Sequence, residues 1–226
     1  MIERLRGFGT CAIANAIETL NLRLRNEGYS SGTLRSFGAN SKPIVAHAVT
    51  VRIRCSSPPP DGHDYLESTQ WWNYVLSVPA PRIVVIQDVD PNPGAGALVG
   101  EVHANILRAL GCVGVATNGA IRDMPALRRL DFHAYARTLS VSHGYSHIVD
   151  MAHPIEVEGL KISPGDLMHG DVHGLLTIPR GAEELIVTAA ERLSERERTI
   201  IELCQRDEFA IEPLRNAIRA FRTASP

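Results

Sequence analysis

"RIVVIQDVDPNPGAGALVGEVHANILRALGCVGVATNGAIRDMPALRRL" (82–130) switches twice between a strand-like and a helix-like hydrophobic pattern, and that alternation sets the fold class. "RIVVIQDV" (82–89) is a short, almost continuous apolar run, as expected of a strand covered on both faces. "DPNPGAGALVG" (90–100) holds too much glycine and proline for regular structure. It runs straight into "EVHANILRALG" (101–111), a helix closed by Gly111. "CVGVAT" (112–117) reads as the next strand, "NG" as a turn, and "DMPALRRL" (123–130) as a short helix. Asp123 suits the N-cap of that helix, and Pro125 lies in its first turn, where a missing N–H does no harm. Strand, helix, strand and helix in this order predict parallel pairing through crossovers.

Upstream, Thr10 can cap a helix carrying Ala12, Ile13, Ala16, Ile17 and Leu20 at helical spacing. "KPIVAHAVTVRIRC" (42–55) is β-branched and predicts a strand that ends before the prolines of "SPPPDG" (57–62). "DYLESTQWWNYVLSV" (64–78) predicts a helix holding both tryptophans. Downstream, "FHAYART", "HPIEVEGLKIS", "GDLMHGD" and "GLLTIP" are short extended segments, which suit a meander or a second small sheet. A charged helix over 182–206 and a shorter one around 213–222 follow. No segment reads as a linker, so one domain spanning 1–226 is expected.

With 44% apolar and 21% charged residues the chain has the composition of a folded globular protein. A net charge of −2 offers no electrostatic basis for binding nucleic acid or an acidic membrane. The opening residues have early charges and no long apolar run, so a cytoplasmic protein is expected. Cys11, Cys55, Cys112 and Cys204 lie far apart and are expected to be reduced, buried small hydrophobes. Only Lys42 and Lys161 among the 23 basic residues are lysines.

A glycine-rich loop entering a helix offers backbone N–H groups and the positive end of the helix dipole, so residues 94–103 could cradle a small anion; a tight turn without a ligand is the plainer alternative. Arg122 and Asp123 end one strand while Glu101 begins the preceding helix, and the carboxyl ends of parallel strands are where ligands bind in open α/β sheets. Asp123 could instead serve only as an N-cap, and Arg122 could pair with Glu101 or face solvent. If the carboxylates converge, their hard oxygens favour Mg²⁺ or Mn²⁺ over zinc. His143, His147, His169 and His173, with Asp171, suggest a zinc hydrolase set. Gly144 and Gly170, however, interrupt any helix that would align them. Asp166 and Asp171 read as turn aspartates.

"GEVHANILRALGCVGVATNGAIRD" (100–123) followed by "ISPGDLMHGDVHGLLTIPR" (162–180) resembles the family of the regulator of ribonuclease E activity A and the 4-hydroxy-4-methyl-2-oxoglutarate / 4-carboxy-4-hydroxy-2-oxoadipate aldolases. Members read G-[ED]-x(20)-R-D and then PGD-x(4)-D-x-x-G. The match is specific over residues 82–205. The resemblance implies an α/β fold, an α/β/β/α sandwich like swivelling phosphohistidine domains, assembled as homotrimers or homohexamers. It also implies that residues 182–226 extend onto a neighbouring subunit. It implies Mg²⁺ or Mn²⁺ held by Asp123 directly and by Glu101 through water. Arg122 would meet the C2 oxygen of a small 2-oxo acid, and the amides around Gly100, Val102 and His103 would hold its carboxylate. Glu197 from the neighbouring subunit would act through water, with Glu195 the other register. The chain departs from aldolase relatives at Val102–His103, where two aliphatic residues are usual, and at Asn118, where aspartate is common. His103 thereby puts a titratable ring near the substrate.

The implied chemistry is a class II pyruvate aldolase with oxaloacetate decarboxylation as a side reaction. Cleaving a carbon–carbon bond beside a 2-oxo acid leaves an enolate, stabilised either by metal and arginine or by a lysine imine. The two lysines sit at a strand start and in a hairpin, which disfavours the imine. The competing reading is a non-catalytic interaction ring that regulates a ribonuclease or another partner. The presence of Asp123 after Arg122 favours the enzyme.

Overall fold

The structure is a computed structural model and describes residues 1–38, 42–60 and 69–223. In chain order its elements are α1 (Ile2–Arg6), α2 (Thr10–Thr19), β1 (Arg35–Ser36), β2 (Ile44–Arg54), α3 (Thr69–Ser77), β3 (Arg82–Asp88), α4 (Glu101–Ala109), β4 (Cys112–Ile121), α5 (Met124–Arg129), β5 (His133–Leu139), β6 (His147–Met151), β7 (Ile155–Val157), β8 (Leu160–Ile162), β9 (Leu167–Asp171), β10 (Gly174–Thr177), α6 (Glu183–Cys204) and α7 (Ile211–Thr223).

The alternation over 82–130 supplies the parallel β3–β4 pair, which β2 and β5 extend on either side: β2 pairs with β3 and β4 with β5, all parallel. Antiparallel neighbours extend it to the order β1-β5-β4-β3-β2-β9-β10, with β6 also on β2. Strand β2 is long because one of its edges serves two partners in succession. Its start, Ile44–His47, pairs with β9, and its end, Val51–Arg54, pairs with β6. Side chains alternate across the pleat. Val49, Val51 and Ile53 join the core under α3, α4 and α5, whereas Ile44, Ala46 and Ala48 pack toward the β7–β8 hairpin. Helices α1, α2 and α6 share a third cluster with Val45, Leu167 and Leu176. The fold is therefore the mixed α/β architecture expected, with a nearly closed mixed sheet and C-terminal helices.

Several local readings are corrected. The "NG" at 118–119 is not a turn but a bulge inside β4, where Asn118 and Gly119 together oppose Arg137 of β5. Thr10 does not cap α2; Gly9 occupies the cap, and the Thr10 N–H donates to Asp171 Oδ2 at 2.8 Å. A carboxylate from β9 thus takes the capping role, because it arrives from a neighbouring strand. "FHAYART" and the two segments after "ISP" join the main sheet, and only "HPIEVEGLKIS" makes a separate two-stranded sheet. Strand β5 follows a helix rather than a hairpin, which allows it to run parallel. Helix α3 is described from Thr69, and the start expected at residue 64 lies outside the described residues. Cys55 and Cys112 are buried, but Cys11 and Cys204 are exposed on helices.

Candidate active site

The loop over residues 89–100 leaves β3 at its carboxyl end and is held from both sides. Asp88 Oδ2 accepts the Gly94 N–H at 2.8 Å, and its Oδ1 accepts the Asp90 N–H at 3.0 Å. Asp90 in turn accepts the N–H groups of Cys55 and Ser56, each at 2.8 Å, and the Ser56 hydroxyl at 2.7 Å. Farther along, the Ala97 N–H donates to Ser142 O at 3.1 Å, and Gly96 packs so closely on His143 O that a Cβ would lie 2.3 Å away. Ala97, Leu98 and Val99 are buried. The loop therefore delivers Gly100 and the first turn of α4 to a defined point.

At that point three of the expected residues meet. Asp123 has φ 57° and ψ 39°, a left-handed conformation that aspartate tolerates better than most residues. It stands at the N-cap of α5 but makes no side-chain capping bond there. Its carboxylate turns instead to α4, where Oδ2 accepts the Glu101 N–H at 2.9 Å. Arg122 Nε lies 3.7 Å from the same oxygen, and the Arg122 N–H is tied to Val99 O at 3.2 Å. Gly100 is needed for the approach, since a Cβ there would sit 2.4 Å from Asp123 Oδ2 and 2.9 Å from Arg122 Nε. Glu101 pairs with Arg129, Nη2 to Oε1 at 3.4 Å, rather than with Arg122. The first intrahelical bond of α4 runs from the Ala104 N–H to Gly100 O at 2.9 Å, so the Glu101, Val102 and His103 amides belong to the open first turn.

The His103 ring, expected near a bound substrate, is turned into the core instead. It is buried, its Nδ1 lies 3.2 Å from Leu98 O, and the Trp71 indole N–H donates to Nε2 at 3.3 Å. Because indole is only a donor, Nε2 is the acceptor and Nδ1 carries the proton. Burial pushes the ring's pKa below its ordinary value, partly offset by Leu98 O, so the ring is neutral. Val102 is exposed at the mouth. No hydrogen bond or ion pair among the described residues links Glu197 or Glu195 to Asp123, Arg122 or Glu101; both lie on α6, where Glu195 is 3.9 Å from Arg198.

A group that sequence reasoning did not find is Cys55, Asp88 and Asp90, whose ligand atoms lie within 4.8 Å of one another. These residues are spread over two strand ends and a loop, and no spacing signals them. Burial, and then Asp88 and Asp90, push the Cys55 thiol up to about 12, and burial also raises Asp88. Burial works against the charge of Asp90 too, but the Ser56 and Cys55 donors outweigh it and hold Asp90 below its ordinary value. A protonated thiol and carboxylates already receiving N–H donors fit a loop anchor better than an open metal site. Asp123 differs from them: its Oδ1 accepts no hydrogen bond among the described residues, and the carboxylate is part exposed.

The histidine pairs do not converge on a metal among the described residues. His169 is fully buried between Thr10 Oγ1 at 3.0 Å and Leu5 O at 3.2 Å, whereas His173 pairs with Asp171 at 2.9 Å on the surface. Asp166 is the turn aspartate expected, accepting the Ser163 N–H at 2.7 Å and meeting Arg180 at 2.9 Å.

The model of the RraA-like family, described as Aldolase/RraA, matches residues 10–177. The chain belongs to the RraA-like family. Within reach of it is a Halalkalibacterium halodurans protein that bears the name "Putative 4-hydroxy-4-methyl-2-oxoglutarate aldolase", 33% identical over 97 residues, which are 42% of this chain and 46% of that one. The chain thus spans about half the length of this curated relative. Among solved structures, an uncharacterized protein from Pseudomonas syringae aligns over 97% of this chain and 92% of its own, with a TM-score of 0.74 at 20% identity. Streptomyces coelicolor RraAS2, called an unusual member of the RNase ES inhibitor RraA protein family, aligns over 87% of this chain and 93% of its own, with a TM-score of 0.68 at 18% identity. At those identities the two structures establish the RraA-like fold and nothing finer. No described helix is long and apolar enough to cross a membrane.

Proposed function

We propose that this RraA-like chain is a divalent-metal-dependent lyase, a class II pyruvate aldolase that cleaves 4-hydroxy-2-oxo acids such as 4-hydroxy-4-methyl-2-oxoglutarate or 4-carboxy-4-hydroxy-2-oxoadipate. Oxaloacetate decarboxylation would be a side reaction through the same enolate. The observation that carries the reading is Asp123, turned away from its own helix and received by the first amide of α4 beside Arg122.

Asp123, with Glu101 through water, would hold Mg²⁺ or Mn²⁺, and the ion when bound would supply Lewis-acid polarisation of the 2-oxo group. Arg122 contributes a planar, permanently charged donor for the C2 oxygen as negative charge develops there. The amides of Val102 and His103, at the positive end of α4, orient the substrate carboxylate. Gly100 keeps that cradle and Asp123 within contact. Glu197 would come from a neighbouring subunit, with residues 182–226 as the arm that carries it. On this reading the chain works as a homotrimer or homohexamer, and assembly is a condition of activity.

The test is pyruvate release from the two hydroxy acids and from oxaloacetate, with and without Mg²⁺ or Mn²⁺. Metal-dependent release is expected in the wild type, none in Asp123→Ala, and a loss on the order of a hundredfold in Arg122→Lys. Absence of release from all three substrates would overturn the proposal and favour the interaction ring.

A further inference from the structure

At the opposite end of the central strands, where β3, β4 and β5 begin, lies a crevice of about 330 Å³ that the lyase reading does not use. Strand β4 separates the two places: Cys112 lines the crevice and Ile121 precedes Arg122, nine residue steps that span roughly 30 Å. The volume is at the lower end for small-molecule sites.

Its polar groups are two guanidiniums, a carboxylate and an imidazole. Arg108, in the last turn of α4, lines the crevice, and its guanidinium makes no ion pair or hydrogen bond among the described residues. Arg6 donates to Pro43 O at 3.3 Å and pairs with Glu3 at 2.9 Å through one Nη, which leaves its other Nη group without an acceptor among the described residues. The His133 ring makes no hydrogen bond among the described residues either; it stacks on Tyr135 at 6.5 Å between centroids with an interplanar angle of 9°. Burial holds its pKa near 4, Asp131 opposing the shift and Arg6 adding to it, so the ring is neutral and offers one donor and one acceptor. Asp131 supplies the negative charge. The remaining wall is apolar, with half-buried Leu130 and Val113 as its accessible part and Phe132 buried in the core. Val113 stands in a bulge between β3 and β4, where Arg82 pairs with Cys112 but Ile83 already pairs with Gly114.

Glu3 offsets Arg6 in this set, so the groups open to an anion are the Arg108 guanidinium and the free Nη of Arg6, beside an apolar wall. We propose that this crevice binds a small monocarboxylate with an apolar body, its carboxylate received by Arg108 and Arg6 and its body lying along Leu130 and Val113. Arginine suits the role because its fork matches a carboxylate. The neutral His133 fixes the orientation of the head group by a single hydrogen bond. A fully polar anion would leave the apolar wall wet.

The experiment is calorimetric titration of the full chain with benzoate at constant chloride, with inorganic phosphate as the comparison anion. Saturable binding of one benzoate per chain is expected, weakened tenfold or more, or roughly 1.4 kcal/mol or more, in Arg108→Glu and in the milder Arg108→Gln. Binding should be unchanged in Arg122→Ala, which damages the other site. Arg108 is exposed and both of its variants are expected to keep the wild-type urea midpoint. No saturable binding would overturn the proposal. So would binding lost in Arg122→Ala but kept in both Arg108 variants, which would put benzoate at the 2-oxo acid site. Phosphate binding without benzoate binding would also overturn it, because the apolar wall would then have no part. None of these outcomes depends on whether the chain releases pyruvate.

Discussion

Gly100 shows how little room the candidate site leaves. Its φ of −131° is open to any residue, so its necessity is not conformational. It comes from the 2.4 Å that would separate a Cβ from Asp123 Oδ2. Gly100→Ala is therefore expected to displace the Asp123 carboxylate while leaving the backbone intact. Pyruvate release should fall on the order of a hundredfold, since misplacing a reacting group by about an ångström costs that much. The urea midpoint should move little, and a variant with full activity would remove Asp123 from the proposed role. The glycine, the acidic residue and the Arg–Asp pair were all legible in the sequence from their order and spacing. The direction of the Asp123 carboxylate was not: aspartate before a short helix reads as a cap, and only the left-handed backbone at Asp123 sends it elsewhere.

Between elements, the bulge in β4 ties two strands to the loop that ends at the site. Asn118 Oδ1 accepts the Asp88 N–H at 2.7 Å and its Nδ2 donates to Asp88 O at 3.0 Å, so one side chain stands in for a backbone pair where the ladder is interrupted. Gly119 permits this, because a Cβ there would lie 3.0 Å from Asp88 Oδ2. Asn118→Asp would keep the acceptor, lose the donor and set a carboxylate against the Asp88 carbonyl. A loss of about 1–3 kcal/mol is expected in urea unfolding. An unchanged midpoint would mean that the amide is dispensable. The sequence suggested a turn here because Asn-Gly most often makes one. The strand continues instead, since its flanks are held in register by β3 and β5 on either side.

Across the whole molecule, three histidines on different elements are held neutral by burial: His103 on α4, His133 on β5 and His169 on β9. Each has a folded pKa below its ordinary value, and for His133 it is about 4. Below about pH 6.5 the unfolded chain takes up protons that the folded chain refuses, so stability falls as pH drops from there toward 4. Asp88, raised by burial, acts in the opposite sense. Asp90 and Asp171 are held below their ordinary values by hydrogen bonds that outweigh burial, and they add to the loss at lower pH. The urea midpoint is therefore expected to decline steadily on acidification from about pH 7. A midpoint flat to about pH 5 would show that these rings are solvated in the folded chain.

Hydrophobic period and punctuation by glycine and proline are local properties, and through them the sequence by itself determined the parallel β3–β4 pair, the loop entering α4, and the candidacy of Glu101, Arg122 and Asp123. Which groups then meet depends on residues distant along the chain, and only the tertiary structure decided it. Asp171 caps α2 from across 161 residues, Trp71 takes the His103 ring out of the site across 32, and Asp90 gathers Cys55 and Ser56 into the anchor of the glycine loop. The physical reason is that a buried donor or acceptor must find a partner wherever packing brings one, and no spacing along the sequence records that choice.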